Sequence, residues 1–274
     1  MTIQPGRLLP ANVAAGVRNR WPDLGPAWCE QVEAQFLDWL PTGAVPIAVF
    51  PARYGLVVDV NVAGDRVVYR ASPDPNGVNQ TAVTAAFARL GVGPQLHESG
   101  QTAIGAWTVT ERIFPGTPLG DMNPTDINPE AVLKTLLALK DQPAPLPNMP
   151  TIVDWLRERL EDDDLRDLAP GTAPAPLHER QRALALLREL SADAPNSLCH
   201  GDASPWNMLH GSDSRIWFID PRGVSGCIEY DAAVLAMKAG ELSILPATPY
   251  LPEAVDHDPE KIAAWLIVAT AARI

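Results

Sequence analysis

The residues with the clearest chemical content are His200-Gly-Asp-Ala-Ser-Pro-Trp-Asn207 and Phe218-Ile-Asp-Pro-Arg-Gly223. Asp202 and Asn207 are five apart, and Asp220 follows thirteen after Asn207. Two carboxylates and an amide in this order suit a reaction that concentrates negative charge. When a phosphoryl group moves, charge gathers on its oxygens and a divalent cation neutralises it. Mg2+ takes hard oxygen ligands, which Asn207 and Asp220 can supply. The acceptor hydroxyl must be aimed and relieved of its proton, and Asp202 is the candidate for that task. Singly, each residue has an ordinary structural use as a turn cap or a hydrogen-bonded brace. The joint spacing singles out the set, together with an apolar run ahead of Asp202 and another ending at Asp220.

These residues need a scaffold. Residues 9–40 read as two helices. Val13, Val17 and Trp21 recur at fourfold spacing, as do Trp28, Val32, Phe36 and Leu40, with Pro22 and Gly25-Pro26 between them. The segments 47–50, 56–62 and 66–71 read as strands, and their short turns imply an antiparallel meander. A helix over 80–90 and a strand over 107–113 follow, stopped by Pro115-Gly116. Beyond Pro129, helices are predicted over 129–140, 151–163, 176–191, 230–241 and 258–273, with a short apolar strand over 215–220. The expected fold class is α+β, with a strand-rich N-terminal lobe over 1–114 and a helical C-terminal lobe over 115–274.

Composition narrows the function classes. The 274 residues suit one large domain or two lobes, and no internal repeat is present. A net charge of −12 argues against nucleic acid as a partner, because phosphates require a basic face. It is compatible with a cationic small substrate, and equally with solubility alone. Cys29, Cys199 and Cys227 form no CxxC pair, which speaks against a zinc site and for a reducing cytoplasm. The start, MTIQPGRLLPANV, lacks a signal-peptide pattern, and the apolar run over 262–272 is too short to span a bilayer, so no membrane role is expected. His97, His178, His200, His210 and His257 fall in no H-x-x-x-H arrangement, which leaves little support for a metalloenzyme without nucleotide.

Protein kinases order an Asp, an Asn and a metal-binding Asp as H-R-D-x-x-x-x-N and then D-F-G. Here the order is H-G-D-x-x-x-x-N and then D-P-R-G. With Glu111-Arg-Ile-Phe-Pro-Gly116 and the later Glu-Tyr-Asp231, the chain resembles the aminoglycoside phosphotransferase family, and within it the streptomycin 6-kinase and hydroxyurea phosphotransferase group. The resemblance implies a bilobal protein-kinase-like fold, Mg2+, and ATP or GTP as phosphate donor. Asp202 would be the base or hydroxyl-orienting residue, and Asn207 and Asp220 the metal ligands. His200 and Asp231 would be structural supports. Thr110, Glu111, Arg112 and Ile113 would form the connector that meets the adenine. The family's phosphate-binding Lys on the third strand is replaced by Arg70, whose fork geometry differs from a point charge. The acid that should partner it is absent, with Gln80 near its place, and Pro51–Gly55 is a poor glycine loop.

The resemblance implies a cationic antibiotic as acceptor, either a streptomycin-like aminoglycoside or a cyclic peptide of the viomycin and capreomycin type. Acidic residues of the C-terminal half would face it, with Trp206, Ser204, Glu229 and Glu241 as substrate contacts. The acidic cluster includes Glu253, Asp256 and Asp258, and Trp155 and Tyr250 are further aromatic residues able to stack on a ring. The enzyme would be a monomer or a homodimer. Two alternatives stay open: a metabolic kinase of the same fold acting on choline, homoserine or a sugar, and a nucleotide-binding pseudokinase.

Overall fold

In the computed structural model, which describes residues 8–169, 171–192, 194–241 and 259–274, Leu56–Val62 forms strand β2. Its alternation turns Leu56, Val58 and Val60 to one face, where all three are buried. β2 pairs antiparallel with β1 (Val45–Val49) and with β3 (Asp65–Ser72). β3 also pairs with β5 (Gly105–Glu111), and β4 (Leu96–Thr102) lies beyond it, so the order is β1-β2-β3-β5-β4. Helices α1 (Ala11–Arg20) and α2 (Gly25–Trp39) set Val13, Val17, Trp28, Val32 and Phe36 into one core with the apolar face of the sheet. On β2 the opposite face carries Asp59, buried beneath the guanidinium groups of Arg66 and Arg112. The strand expected at 107–113 lies at 105–111. β4 carries no sequence signal, because Leu-His-Glu-Ser-Gly-Gln-Thr is an edge strand whose side chains are mostly exposed.

The chain divides into two compact units, one of residues up to 81 with 94–112 and one of 82–93 with 113 onward. Helix α3 (Gly77–Leu90) contributes Val83, Ala86 and Phe87 to a core of the second unit. That unit holds α4 (Pro129–Leu137), α5 (Ile152–Glu161), α6 (Leu177–Ser191), α7 (Ile228–Glu241) and α8 (Pro259–Ala271). The Asn128 side chain accepts from the Glu130 amide and that of Thr151 from the Asp154 amide, which fixes the starts of α4 and α5. A three-stranded sheet of order β6-β8-β9 joins Pro115–Pro118, Met208–Gly211 and Ile216–Phe218. Between β6 and β8 in sequence, β7 (Ser197–Leu198) precedes the His200–Asn207 motif and pairs with β10 (Ser225–Gly226). Among the described residues no helix is long and apolar enough to cross a membrane.

Arg159 of α5 closes the second unit at the end of α8. Its Nε donates to the Ala272 carbonyl at 2.6 Å, Nη2 to that of Arg273 at 3.0 Å, and Nη1 to both Asp167 oxygens at 2.7 Å. The side chain is 7% exposed, so these acceptors have little water to replace it. Arg159→Ala is expected to lower unfolding stability by about 3–5 kcal/mol, the range for breaking a buried ion pair from one side. A urea titration of the variant against the unaltered protein measures it.

Candidate active site

The β8–β9 hairpin sets the two expected metal ligands at the same end. Its register pairs Met208 with Phe218 and His210 with Ile216. The ladder runs one residue further, where the Ile219 amide donates to the Asn207 carbonyl at 3.0 Å. Asn207 thereby lies opposite Ile219, the residue before Asp220, at the end of one ladder. Burial of Met208, Ile216, Trp217 and Phe218 holds the hairpin down. Asn207 Nδ2 donates to the Asp202 carbonyl at 2.9 Å, which makes the amide oxygen the atom able to ligate a cation. Asp220 sits at φ +53, a left-handed conformation that Asp adopts more readily than most side chains. One amide oxygen and one carboxylate form a hard donor set of the kind Mg2+ takes when water and phosphate complete its shell. The residues fit that ion.

The loop carrying Asp202 is held from beneath by the first turn of α7. Asp231 is fully buried, and its two oxygens accept from the His200 amide at 2.7 Å and the Gly201 amide at 2.9 Å. Burial pushes its carboxyl up to about 7, against the pull of those two amides. The His200 ring is buried beside Phe87 and Phe218. Its Nδ1 accepts from the Asp202 amide at 3.3 Å. The proton therefore sits on Nε2, which donates to the Ile219 carbonyl at 3.0 Å. Burial drives the imidazole down to about 4, so it braces the loop as a neutral ring.

Arg222 is the residue the sequence analysis missed. Its Nη2 donates to Asp202 Oδ2 at 3.0 Å and its Nε to the Gly201 carbonyl at 2.9 Å, while the guanidinium lies 4.0 Å from the Trp155 ring centre. One oxygen of Asp202 is thus engaged, and Oδ1 accepts from no described residue. Gly201 has φ +78, and a Cβ there would stand 2.8 Å from Arg222 Cβ and Val224 Cγ2. The available signal was the cation two residues after Asp220.

The remaining candidates are spread. Trp206 is 43% exposed and lies over Gly120, where a Cβ would meet its ring. Ser204 is buried. Glu229 is buried in the first turn of α7, whereas Glu241 is exposed at its far end and pairs with Lys238 at 3.5 Å. The structure does not bring these two acids together. Tyr250, Glu253, Asp256 and Asp258 lie outside the described residues. In the first unit, Arg70 Nη1 donates to Gln80 Oε1 at 3.2 Å. Thr110 pairs with Val68 across β3 and β5. The Glu111 and Arg112 amides donate to the carbonyls of Gln95 and Arg66, so both are engaged within the sheet. The Arg112 side chain reaches Asp59, and Ile113 is buried.

Residues 56–256 match the family model described as "APH: Phosphotransferase enzyme family". No curated protein sequence matches the chain. Among solved structures, a type VIII aminoglycoside-3'-phosphotransferase is 20% identical with a TM-score of 0.58, covering 87% of this chain and 97% of that one. A choline/ethanolamine kinase family protein from Mesorhizobium loti is 17% identical with a TM-score of 0.63, covering 89% and 83%. A Plasmodium vivax ethanolamine kinase is 14% identical with a TM-score of 0.60, covering 98% and 88%. At these identities the likeness is one of fold.

His200 and Asp231 give the loop a testable response to acid. Unfolded His200 takes up a proton near its ordinary 6.5 and the folded form only near 4, so its contribution is intact above 6.5 and is lost as pH falls toward 4. Asp231 runs the other way. Its folded form protonates near 7 and its unfolded form near 3.8, so it adds stability as pH falls through that window. The two offset each other between about pH 6.5 and 4. Asp231→Asn removes the second response, and the acceptor oxygen it also removes costs the same at every pH. Going from pH 7 to pH 5 should then destabilise the variant by about 2 kcal/mol more than the unaltered protein, read by urea unfolding at both pH values.

Proposed function

The chain belongs to the phosphotransferase enzyme family, and on that premise we propose that it phosphorylates a hydroxyl of a cationic antibiotic, using ATP or GTP and Mg2+. The acceptor class is a streptomycin-like aminoglycoside or a cyclic peptide of the viomycin and capreomycin type, and the cellular consequence is resistance. The motifs HGDASPWN and IDPRG support the streptomycin 6-kinase and hydroxyurea phosphotransferase group within the family. The observation that carries the reading is the Asp202 carboxylate, with one oxygen held by Arg222 and the other without a described protein partner, in the loop that also bears Asn207. The net charge of −12 supports a cationic acceptor.

Asn207 and Asp220 would hold Mg2+, which when bound neutralises charge on the terminal phosphate. Arg70 would pair with the donor's phosphates. Asp202 Oδ1 would accept a hydrogen bond from the acceptor hydroxyl and take its proton as the new O–P bond forms and the bond from the terminal phosphorus to the bridging oxygen breaks, releasing ADP or GDP. Arg222 keeps the carboxylate from turning away, so the loop's main work is positioning. Arg222 also places a positive charge beside the acceptor hydroxyl. Ammonium groups of the substrate would therefore be met away from Asp202, for example by exposed Glu241 or by the exposed acids that follow α5 at 162–164.

A metabolic kinase for a small amino alcohol is the second reading, favoured by the likeness in fold to choline and ethanolamine kinases.

An assay of ADP release from ATP, or of GDP release from GTP, with Mg2+ tests these readings against streptomycin, kanamycin, hygromycin, viomycin, capreomycin, choline, ethanolamine and hydroxyurea. Turnover is expected on one antibiotic class. Asp202→Ala should reduce it on the order of 10²–10⁴-fold, the usual worth of a general base, with nucleotide affinity retained. Turnover on an amino alcohol alone would select the metabolic reading. Silence with both nucleotides would overturn the antibiotic reading.

A further inference from the structure

Arg70 lies near the end of β3, and the loop from Ser72 to α3 wraps back toward it. Gln80, 7% exposed, accepts from Arg70 at Oε1 (3.2 Å) and donates from Nε2 to Asp74 Oδ2 (3.0 Å). A guanidinium can only donate and an ionised carboxylate can only accept, so the amide has one workable orientation between them. Asp74 is itself fixed. Its Oδ1 accepts from the Asn76 amide at 2.8 Å, and its own amide donates to Ser72 Oγ at 3.2 Å. Ser72, 1% exposed, donates to the Tyr54 carbonyl at 3.3 Å, which ties in the Pro51–Gly55 segment between β1 and β2.

We infer that Asp74 is a positioning residue for the phosphate donor, acting through Gln80 to aim Arg70. The inference rests on the reading that Arg70 meets the donor's phosphates. Where a carboxylate beside the cation would be expected, this chain places a neutral amide, with the carboxylate one hydrogen bond further away. The Gln80 amide fixes the direction of the guanidinium by one hydrogen bond, and the Asp74 carboxylate acts on it from one hydrogen bond further away. The Ser72–Tyr54 link supplies by hydrogen bonding part of the order that a glycine-rich loop would obtain by wrapping the phosphates.

The relay has a polarity that substitution can reverse. In Asp74→Asn, the amide that keeps the Asn76 contact turns its NH2 toward Gln80 Nε2, donor against donor, and Gln80 loses its orientation. In Gln80→Glu, a second carboxylate faces Asp74 across one hydrogen-bond length. In the double variant, the new amide at position 74 donates to the new carboxylate at position 80. That carboxylate also accepts from Arg70, and complementarity returns with the same total charge. Isothermal titration calorimetry with MgADP and MgGDP reads the effect without any acceptor. Each single variant should bind about 5–10-fold more weakly, and the double variant within about 3-fold of the unaltered protein, a coupling that a mere helix cap would not produce. Thermal unfolding checks that each variant is folded. If Asp74→Asn does not fold, the comparison is between Gln80→Glu and the double variant, and a double variant binding no tighter overturns the relay. Single variants that bind normally, or a double variant as weak as the product of the singles, also overturn it. Arg70→Ala separates the two levels. Unchanged binding there, or no binding of either nucleotide by the unaltered protein, defeats the phosphate reading itself.

Discussion

The carboxylate of Asp231 accepting the His200 and Gly201 amides is the contact on which the candidate active site depends. It fixes the His200–Asn207 loop to the start of a helix that is buried almost all round, so the loop inherits the rigidity of the core of the second unit. From that anchor the other constraints follow in order. His200 reaches the backbone next to Asp220, Gly201 accepts from Arg222, and Arg222 in turn holds Asp202. A charge buried to this degree is tolerated only when donors meet it, and here the donors are the loop it organises.

The two chemical halves are built by different means. The two expected metal ligands are placed by ladder register, because hairpin pairing over a buried apolar face sets Asn207 opposite Ile219, next to Asp220. Aiming the carboxylate of Asp202 uses a cation stacked on an aromatic ring. Orientation of Arg70 in the first unit uses side-chain polarity in a loop. Each device fixes a polar group with neighbours that are fixed themselves, which is the condition for a site that need not reorganise during reaction.

Much of this was legible in the sequence, and the exceptions have physical causes. The strand at 56–62 and the helices beyond 129 announced themselves because their apolar periodicity is the burial pattern. The Asp202, Asn207 and Asp220 spacing was legible because a tight loop and hairpin leave little freedom between them. β6 and β8 were missed because strands of four residues carry too little alternation to register. Arg222 was missed because its partner ring, Trp155, sits on a helix far earlier in the chain, and no local pattern links them. Gln80 was read as an absent acid. Its role emerges only when Asp74, in a loop, is seen to receive its amide.

The edges of the five-stranded sheet bear on how the chain behaves in a crowded solution. β4 presents polar and charged side chains, which discourage another strand from adding to it. β1 is the more inviting edge, since Val45 and Ile47 are 54% and 42% exposed. It carries two obstacles to recruitment. Pro46 has no amide to offer, and the pairing with β2 slips between Pro46 and Ala48, which bends the strand. The same five residues that complete the sheet thus limit its growth into intermolecular fibres, and replacing Pro46 would remove one of the two safeguards against aggregation.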